Sequence, residues 1–303
     1  MKTGVAALAG AGLTVSSAAA VTSKIAGIGM CDWNLGNACD PELIPLAREA
    51  HLDGIQVSVG TAPDHLPLRD RAVQRRYLEL GQKYGIRFHS VAAGGILNSL
   101  PLATEPQSAV YVIDAIEAAQ ALGAKNVLIA FFGNGDLRLR DPEKKCFETK
   151  KNGFSTYALN EVAVQRVVEA LRQIAPRAER AGVMIGLENT LTAEQNLHIM
   201  EQVHSPALQV YYDVGNSTGH GYDIFSELRL LSRERICEVH LKDWKTSLLG
   251  SEGCAVDMPA VAAVLQEIGY DKWLVLETSG RKNHFLADTR SNVAYVRRTF
   301  GLR

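Results

Sequence analysis

The chain has 303 residues, 47% of them hydrophobic, and its formal net charge at neutral pH is −1. This length allows a large buried core, and the near-zero charge gives no electrostatic argument for a nucleic-acid or anionic membrane partner. The five cysteines form no C-x-x-C pair, which argues against zinc-knuckle and thioredoxin-type sites. A Cys31–Cys39 disulfide stays open for an oxidising compartment.

The N-terminal stretch is typical of a secretory signal. Lys2 precedes an uncharged, Ala/Gly-rich run over residues 4–15, and small residues follow to Ala20. We therefore predict a signal-like leader or disordered extension over residues 1–22 and one domain over residues 23–303. A functional leader predicts an exported or periplasmic protein, and a non-functional one predicts a cytoplasmic protein.

Apolar runs alternate with helical patterns along the rest of the chain. Strands are predicted at residues 25–31, 54–60, 86–91 and 126–132, followed by four runs that end at Glu188, Asp213, His240 and Glu277. Helices are predicted at residues 40–50, 69–84, 108–122, 157–181, 197–203, 223–231, 257–268 and after the last strand. The polar residues 133–157 predict either a lid or a solvated surface loop.

Eight strands separated by helices at spacings near thirty residues call for right-handed crossovers and a parallel sheet. Closure of eight such units gives a single (β/α)8 TIM barrel. A doubly wound open sheet is the competing fold, but no G-x-G-x-x-G follows the first strand. In a barrel, the C-terminal ends of the strands build the site.

Four consecutive strands deliver an ionisable side chain at this face: Glu188, Asp213, His240 and Glu277. Taken alone, each has a structural explanation, such as a helix cap or a hydrogen-bonded core histidine. Their convergence instead predicts one metal site. Three carboxylates and one imidazole favour Mn²⁺ or Mg²⁺, with Co²⁺ and Zn²⁺ as alternatives.

The motifs around these positions resemble the xylose isomerase-like TIM barrel family, the sugar phosphate isomerase/epimerase group. The similar segments are Gly186-Leu-Glu-Asn-Thr190, Tyr212-Asp-Val-Gly-Asn216, Val239-His-Leu-Lys-Asp243, Leu276-Glu277 and residues 250–261. The resemblance covers residues 25–300. It implies that Glu188, Asp213, His240 and Glu277 bind one divalent metal, and that Glu188 and Glu277 act as catalytic acid and base on opposite faces of a ketose.

The reaction that the resemblance implies is sugar isomerisation or epimerisation. A metal on two neighbouring oxygens acidifies the adjacent C–H bond and stabilises the enediolate. One carboxylate removes the proton and the other returns it, which gives epimerisation, whereas return to the neighbouring carbon gives isomerisation. The same scheme also serves dehydration of a keto-sugar or keto-inositol, so a lyase is the second candidate. A non-catalytic, metal-containing carbohydrate-binding barrel is the third.

Several positions depart from the ketose 3-epimerase branch or have open roles. Asn216 and Thr246 stand where that branch has a histidine and an arginine, so the branch stays open. Lys242 and Asp243 either contact substrate, orient His240, or form a solvent-facing pair. The prediction also includes Asn216, His89 at the end of the third strand, and Trp33 after the first strand as substrate contacts, although His89 and Trp33 could equally be packing residues.

The family also contains apurinic endonucleases with a three-zinc site. Asn216 occupies a position where those enzymes use a histidine ligand, and the balanced charge offers no basic face for DNA. We therefore expect a small-molecule sugar or keto-sugar as the partner, no nucleic acid, no membrane after leader removal, and an oligomeric state that the sequence leaves open, a homo-oligomer included.

Overall fold

Eight parallel strands close into a barrel in the part of the chain that the computed structural model describes, which is Met1 and residues 25–143, 145–281 and 283–302. The barrel strands follow one another around the barrel in chain order, and the last, residues 273–276, pairs again with the first, residues 27–31. The predicted (β/α)8 barrel is confirmed. The predicted leader falls mainly on residues 2–24, which lie outside the described residues.

The strands are β1 Gly27–Cys31, β2 Gly54–Ser58, β3 Arg87–Ala92, β4 Asn126–Phe131, β5 Glu148–Lys151, β6 Phe154–Tyr157, β7 Met184–Asn189, β8 Leu208–Asp213, β9 Ile236–Leu241 and β10 Trp273–Leu276. The helices are α1 Asp32–Leu35, α2 Ile44–Glu49, α3 Arg71–Tyr84, α4 Gly94–Ser99, α5 Ala109–Leu122, α6 Glu161–Ala181, α7 Ala193–Val203, α8 Val214–Gly219, α9 Ile224–Arg235, α10 Met258–Glu267 and α11 Phe285–Thr299. Short 3-10 turns precede α2, α3 and α5 and follow β4.

Local sequence chemistry sets the boundaries of these elements. Asp40 accepts a hydrogen bond from the backbone N–H of Glu42 and Pro41 occupies the first turn, although that turn is 3-10 and α2 begins only at Ile44. Helices α3 and α5 end where Gly85 and Gly123 adopt left-handed backbone. The eight barrel strands are buried along nearly their whole length, because the helices cover one face and the barrel interior the other.

In the half of the barrel interior nearest the N-terminal ends of the strands, large side chains pack opposite glycines. A Cβ on Gly27 or Gly54 would lie 2.7–2.8 Å from atoms of the Trp273 ring. A Cβ on Gly29 would lie 2.1 Å from His89 Nε2. These glycines leave the space in which Trp273 and His89 stack, with ring centroids 4.6 Å apart.

Residues 132–160 form an insertion between β4 and α6, and this insertion is partly folded. Its strands β5 and β6 pair as an antiparallel hairpin. The predicted loop is therefore only partly irregular. Asp136 Oδ1 accepts a hydrogen bond from Thr190 Oγ1 at the end of β7, and Ser155 N donates to Gly221 O after α8. The insertion thus lies against the C-terminal rim of the barrel.

Within residues 25–143, 145–281 and 283–302, every helix is too short or too polar to cross a membrane.

Candidate metal centre

The ends of four neighbouring strands bring Glu188, Asp213, His240 and Glu277 together. Their side chains come from β7, β8, β9 and the residue after β10, which are consecutive around the barrel. One ligand atom from each residue lies within 4.8 Å of those of the others. His240 Nδ1 lies 3.0 Å from Glu188 Oε1, 3.6 Å from Glu277 Oε2 and 3.9 Å from Asp213 Oδ2. The four residues that the sequence predicts as metal ligands therefore lie together in the folded chain.

This cluster is buried at the C-terminal mouth of the barrel. His240 is 0% exposed, Glu188 and Asp213 are 5% exposed, and the side chain of Glu277 is 18% exposed. Glu277 is thus the member most open to solvent. Burial of three carboxylates within a few ångströms is costly unless cations compensate them.

Two side-chain cations meet that requirement in the described structure. Burial lowers the pKa of His240, but Glu188 and Glu277 outweigh burial and raise the pKa to about 9. Lys242 Nζ lies 2.8 Å from Asp213 Oδ2 and 2.5 Å from Glu277 Oε2. Burial also opposes the charge of Lys242, and Asp213 and Glu277 hold its pKa above the usual range.

The surroundings of Asp213 leave room for a further cation at this candidate site. Its Oδ1 caps α8 by accepting from the backbone N–H of Asn216 at 2.8 Å. Its Oδ2 is buried and receives no hydrogen bond of acceptable geometry, although Lys242 Nζ lies close by. Burial raises the pKa of this carboxyl, and Glu277 adds to the rise. This oxygen shares the Lys242 ammonium with Glu277 Oε2, so a divalent cation would add to its electrostatic compensation.

The donor set fits a divalent cation. Bonds of about 2.1 Å place adjacent octahedral ligands about 3.0 Å apart and opposite ones about 4.2 Å apart. The observed donor atoms extend to 4.8 Å, so a small contraction brings all four to bonding distance. Three carboxylate oxygens with one imidazole suit a hard or borderline metal rather than a thiolate site.

Three of the other predicted site residues lie in or beside the cluster, and two do not. Lys242 lies in the cluster, and the half-buried Trp33 faces the His240 ring edge-on with ring centroids 6.4 Å apart. Asn216 lies next to the cluster through its backbone bond to Asp213.

His89 does not lie at the mouth. Strand β3 continues to Ala92, so the prediction that His89 ends this strand at the C-terminal face is wrong. His89 Nδ1 instead lies 2.8 Å from the buried carboxylate of Glu238, to which it donates. The ring borders a cavity of about 1080 Å³ at the opposite end of the barrel. His89 is the third residue of this six-residue strand, which ends at Ala92, one residue beyond the predicted run 86–91. This position does not support substrate contact at the metal cluster.

Asp243 is also placed differently from the prediction. Both of its oxygens are used by backbone groups: Oδ1 accepts from Lys245 and Thr246, and Oδ2 accepts from Ala255 and Val256. Asp243 therefore anchors the loop between β9 and α10. A carboxylate engaged in four such bonds has no free lone pair aimed at a substrate.

Cys31 and Cys39 are free thiols in the structure, not a disulfide. Cys31 Sγ points into the barrel, 3.2 Å from Gln56 Oε1 and 3.4 Å from His240 Nε2.

Sequence reasoning missed the polar residues directly beneath the cluster. Gln56, Tyr211 and Glu238 are buried in the barrel interior and hydrogen-bonded to one another. Strand alternation contains the signal, because Tyr211 precedes Asp213 by two residues and Glu238 precedes His240 by two. Residues two apart on a strand share a face, so both point into the barrel.

The fold and the cluster together define a (β/α)8 barrel with a candidate divalent-metal centre at its C-terminal mouth. Residues 44–299 match the sequence pattern of the xylose isomerase-like TIM barrel, and the chain belongs to this family.

The sequence identity to individual relatives is low. The chain is 26% identical over 223 residues to a 2-epi-5-epi-valiolone 7-phosphate 2-epimerase of Actinoplanes sp. (strain ATCC 31044 / CBS 674.73 / SE50/110), covering 71% of this chain and 72% of that protein. It is 26% identical over 245 residues to the putative L-ribulose-5-phosphate 3-epimerase SgbU of Escherichia coli (strain K12), covering 77% and 78%. The fold is similar to that of D-psicose 3-epimerase from Clostridium cellulolyticum H10 with D-tagatose, with a TM-score of 0.71, 15% identity, and coverage of 90% and 99%.

Proposed function

We propose that this chain is a divalent-metal-dependent epimerase or isomerase of ketose sugars. The observation that carries the proposal is the meeting of Glu188, Asp213, His240 and Glu277 at one point of the barrel mouth. The names of two sequence relatives support an epimerase, and D-psicose 3-epimerase, one of the proteins with a similar fold, supports a ketose substrate.

Glu188, Asp213, His240 and Glu277 would hold the cation, for which their chemistry favours Mn²⁺ or Mg²⁺ over Co²⁺ and Zn²⁺. When bound, this cation would polarise two neighbouring oxygens of the sugar and acidify the C–H bond beside them.

Glu188 and Glu277 are suited to move the proton. They come from the outer two of the four strands, with Asp213 and His240 between them. A sugar bound over the cluster therefore has one carboxylate towards each side. One carboxylate takes the carbon-bound proton and the other, in its protonated form, delivers a proton to the opposite face, which inverts the carbon. Delivery to the neighbouring carbon converts a ketose to an aldose.

Three further residues would shape the sugar site. Lys242 is an ammonium group within reach of any oxygen bound between Asp213 and Glu277. Trp33 offers an apolar aromatic ring beside His240, suited to packing against the C–H face of a sugar. Asn216 keeps its side chain half-buried next to Asp213, where an amide can bind a hydroxyl.

The test is hydrogen exchange into ketoses in D₂O. The purified protein with added Mn²⁺ is incubated with a panel of ketoses, each with and without a phosphate group, and deuterium at carbon is measured by NMR. We expect deuterium beside the carbonyl in at least one sugar, with formation of its epimer or aldose. Glu277→Gln keeps an amide oxygen in the place of a carboxylate ligand, so it should bind Mn²⁺ more weakly and, at saturating Mn²⁺, lose at least about 100-fold in exchange rate. The exposed Glu252→Gln is the matched control and should keep full activity.

The same experiment separates the alternatives. Deuterium uptake with loss of water from the sugar would identify a dehydratase. Mn²⁺ binding without exchange into any sugar of the panel would contradict the enzyme proposal and favour a carbohydrate-binding barrel.

A further inference from the structure

The two ring nitrogens of His240 face different surroundings. Nδ1 faces the three carboxylates of the cluster, with Glu188 Oε1 the nearest at 3.0 Å. Nε2 faces into the barrel, 3.2 Å from Gln56 Oε1 and 3.4 Å from Cys31 Sγ. If Nδ1 is a metal ligand, it must present a lone pair, and the remaining ring proton must sit on Nε2. That proton then needs an acceptor inside the barrel.

Gln56 is such an acceptor only if its amide has one orientation. Its Oε1 faces His240, and its Nε2 donates to Tyr211 OH at 3.0 Å. The reverse orientation would turn the NH₂ group towards His240, where it would favour the tautomer with a lone pair on Nε2. The amide orientation therefore decides which nitrogen of His240 carries the proton.

Tyr211 fixes that orientation. A phenol has one proton, and Tyr211 donates it to Glu238 Oε2 at 2.5 Å. The phenol oxygen can then only accept from its other neighbours, so the group of Gln56 that meets it must be the NH₂. Ser90 Oγ, 3.3 Å away, can serve as a second donor to the same oxygen. The amide oxygen of Gln56 is left for His240.

Glu238 is the final acceptor in this series of hydrogen bonds. It is 0% exposed, its Oε1 accepts from Asn126 Nδ2 at 2.6 Å, and its Oε2 lies 2.8 Å from His89 Nδ1. A carboxylate surrounded in this way accepts from each neighbour, so every hydrogen bond between it and His240 has a fixed direction. Glu238, Tyr211 and Gln56 thus form a hydrogen-bonded series that leads to His240. All three lie in the barrel interior, beneath the cluster.

We propose that Gln56 is a positioning residue that fixes the ring proton of His240 on Nε2 and so presents Nδ1 to the metal, with Tyr211 and Glu238 holding the Gln56 amide in the required orientation. The inference rests on the proposed function, because it assigns a purpose to the side of His240 that faces away from the proposed metal.

The first test measures Mn²⁺ affinity of the purified protein by titration calorimetry. Gln56→Met keeps the length of the side chain and removes both polar atoms, so we expect the Kd to rise about 10- to 100-fold. Tyr211→Phe leaves the amide in place without its orienting acceptor, so we expect a smaller rise. In the double variant Tyr211→Phe should add almost nothing, because it acts through Gln56. Tyr77→Phe, which removes another fully buried hydroxyl, is the matched control and should leave the Kd unchanged.

A spectroscopic readout separates positioning from general damage. In Zn²⁺-loaded protein with ¹⁵N-labelled histidine, His240 should show a proton on Nε2 that exchanges slowly with water, and Gln56→Met should lose this slow exchange. Tyr211→Phe provides the same readout if Gln56→Met does not fold. Cys31→Ala should change neither readout, because the thiol donates to Gln56 rather than accepting from His240.

The outcomes distinguish this inference from the proposed function. No binding of Mn²⁺ or Zn²⁺ by the wild type would overturn both. Tight binding by the wild type with a Kd changed less than twofold in Gln56→Met and Tyr211→Phe would overturn the inference alone. So would a loss of affinity in Cys31→Ala as large as that in Gln56→Met, since the thiol would then be the partner of Nε2.

Discussion

Lys242 and Glu277 form an ion pair inside the predicted ligand set, with Nζ 2.5 Å from Oε2. The same ammonium lies 2.8 Å from Asp213 Oδ2, so one lysine compensates two carboxylates of the cluster. A divalent cation at this site would supply positive charge to the same two oxygens. Lys242 therefore matters most for stability when no metal is bound.

Lys242→Met should destabilise the metal-free protein by about 3 kcal/mol, because buried carboxylates lose their compensating charge. Saturating Mn²⁺ should restore most of this loss. Thermal unfolding in EDTA and in Mn²⁺ measures both effects, and the exposed neighbour Lys245→Met is the control. An equal loss in the two conditions would show that Lys242 stabilises the fold independently of the site.

Asp213→Asn tests the roles of the two carboxylate oxygens of Asp213 separately. The amide oxygen can still accept from the backbone N–H of Asn216 and cap α8, whereas the buried Oδ2 is replaced by a neutral group. Mn²⁺ at 100 times its Kd should raise the free energy of unfolding of the wild type by about 2.7 kcal/mol. The variant should gain almost nothing at the same concentration. A full gain in Asp213→Asn would remove this residue from the ligand set.

Gly29→Ala tests the close packing between β1 and β3. The added Cβ would lie 2.1 Å from His89 Nε2, and Glu238 holds this ring from its other side. We expect a loss of about 1–3 kcal/mol in chemical denaturation. Gly95→Ala, where the nearest atom lies 3.8 Å from the new Cβ, should cost nothing.

His89→Ala completes a double-mutant cycle with Gly29→Ala. It should destabilise the wild type, because Glu238 loses a hydrogen-bonding partner, but it should cost much less in the Gly29→Ala background. Additive losses would mean that the new methyl group is accommodated elsewhere.

Glu227 predicts a pH dependence of stability. It is buried, and its two oxygens accept from Ala193 N and Tyr212 OH. Burial outweighs these bonds and raises its pKa from 4.5 to about 7. Between these pH values the folded protein keeps a proton that the unfolded chain has released. The free energy of unfolding should therefore fall as pH rises from 4.5 to 7, by about 3 kcal/mol at this residue.

Glu227→Gln should lack this component of the fall. Urea unfolding of the metal-free wild type and variant across pH 4–8 measures the difference. The exposed Glu201→Gln on α7 should follow the wild-type curve. A parallel decline in wild type and Glu227→Gln would contradict the assignment.

The barrel and the four clustered residues could be predicted because their signals are local. Each of Glu188, Asp213, His240 and Glu277 ends an apolar run, and parallel strands in consecutive order bring such ends together. Left-handed Gly85 and Gly123 likewise mark helix ends that the sequence shows directly.

The positions that could not be predicted depend on tertiary contacts. The strand that contains His89 continues through Ala92, and apolar content alone does not show where it stops. Asp243 binds backbone groups up to Val256, and this partnership exists only once the loop has folded. The direction of the Gln56 amide depends on Tyr211, 155 residues away in the chain.

The four clustered residues Glu188, Asp213, His240 and Glu277 all belong to one half of the barrel, β7 to β10, while β1 leads into Trp33 and β4 into the insertion over residues 132–160. Under the proposed function, the groups that move the proton lie on the arc from β7 to β10, whereas Trp33 and the insertion lie on the remaining part of the rim. On that proposal, the segments after β1 and β4 could be exchanged or lengthened to accept a different carbohydrate without moving Glu188 or Glu277, which would make this barrel a convenient starting point for redesigning specificity.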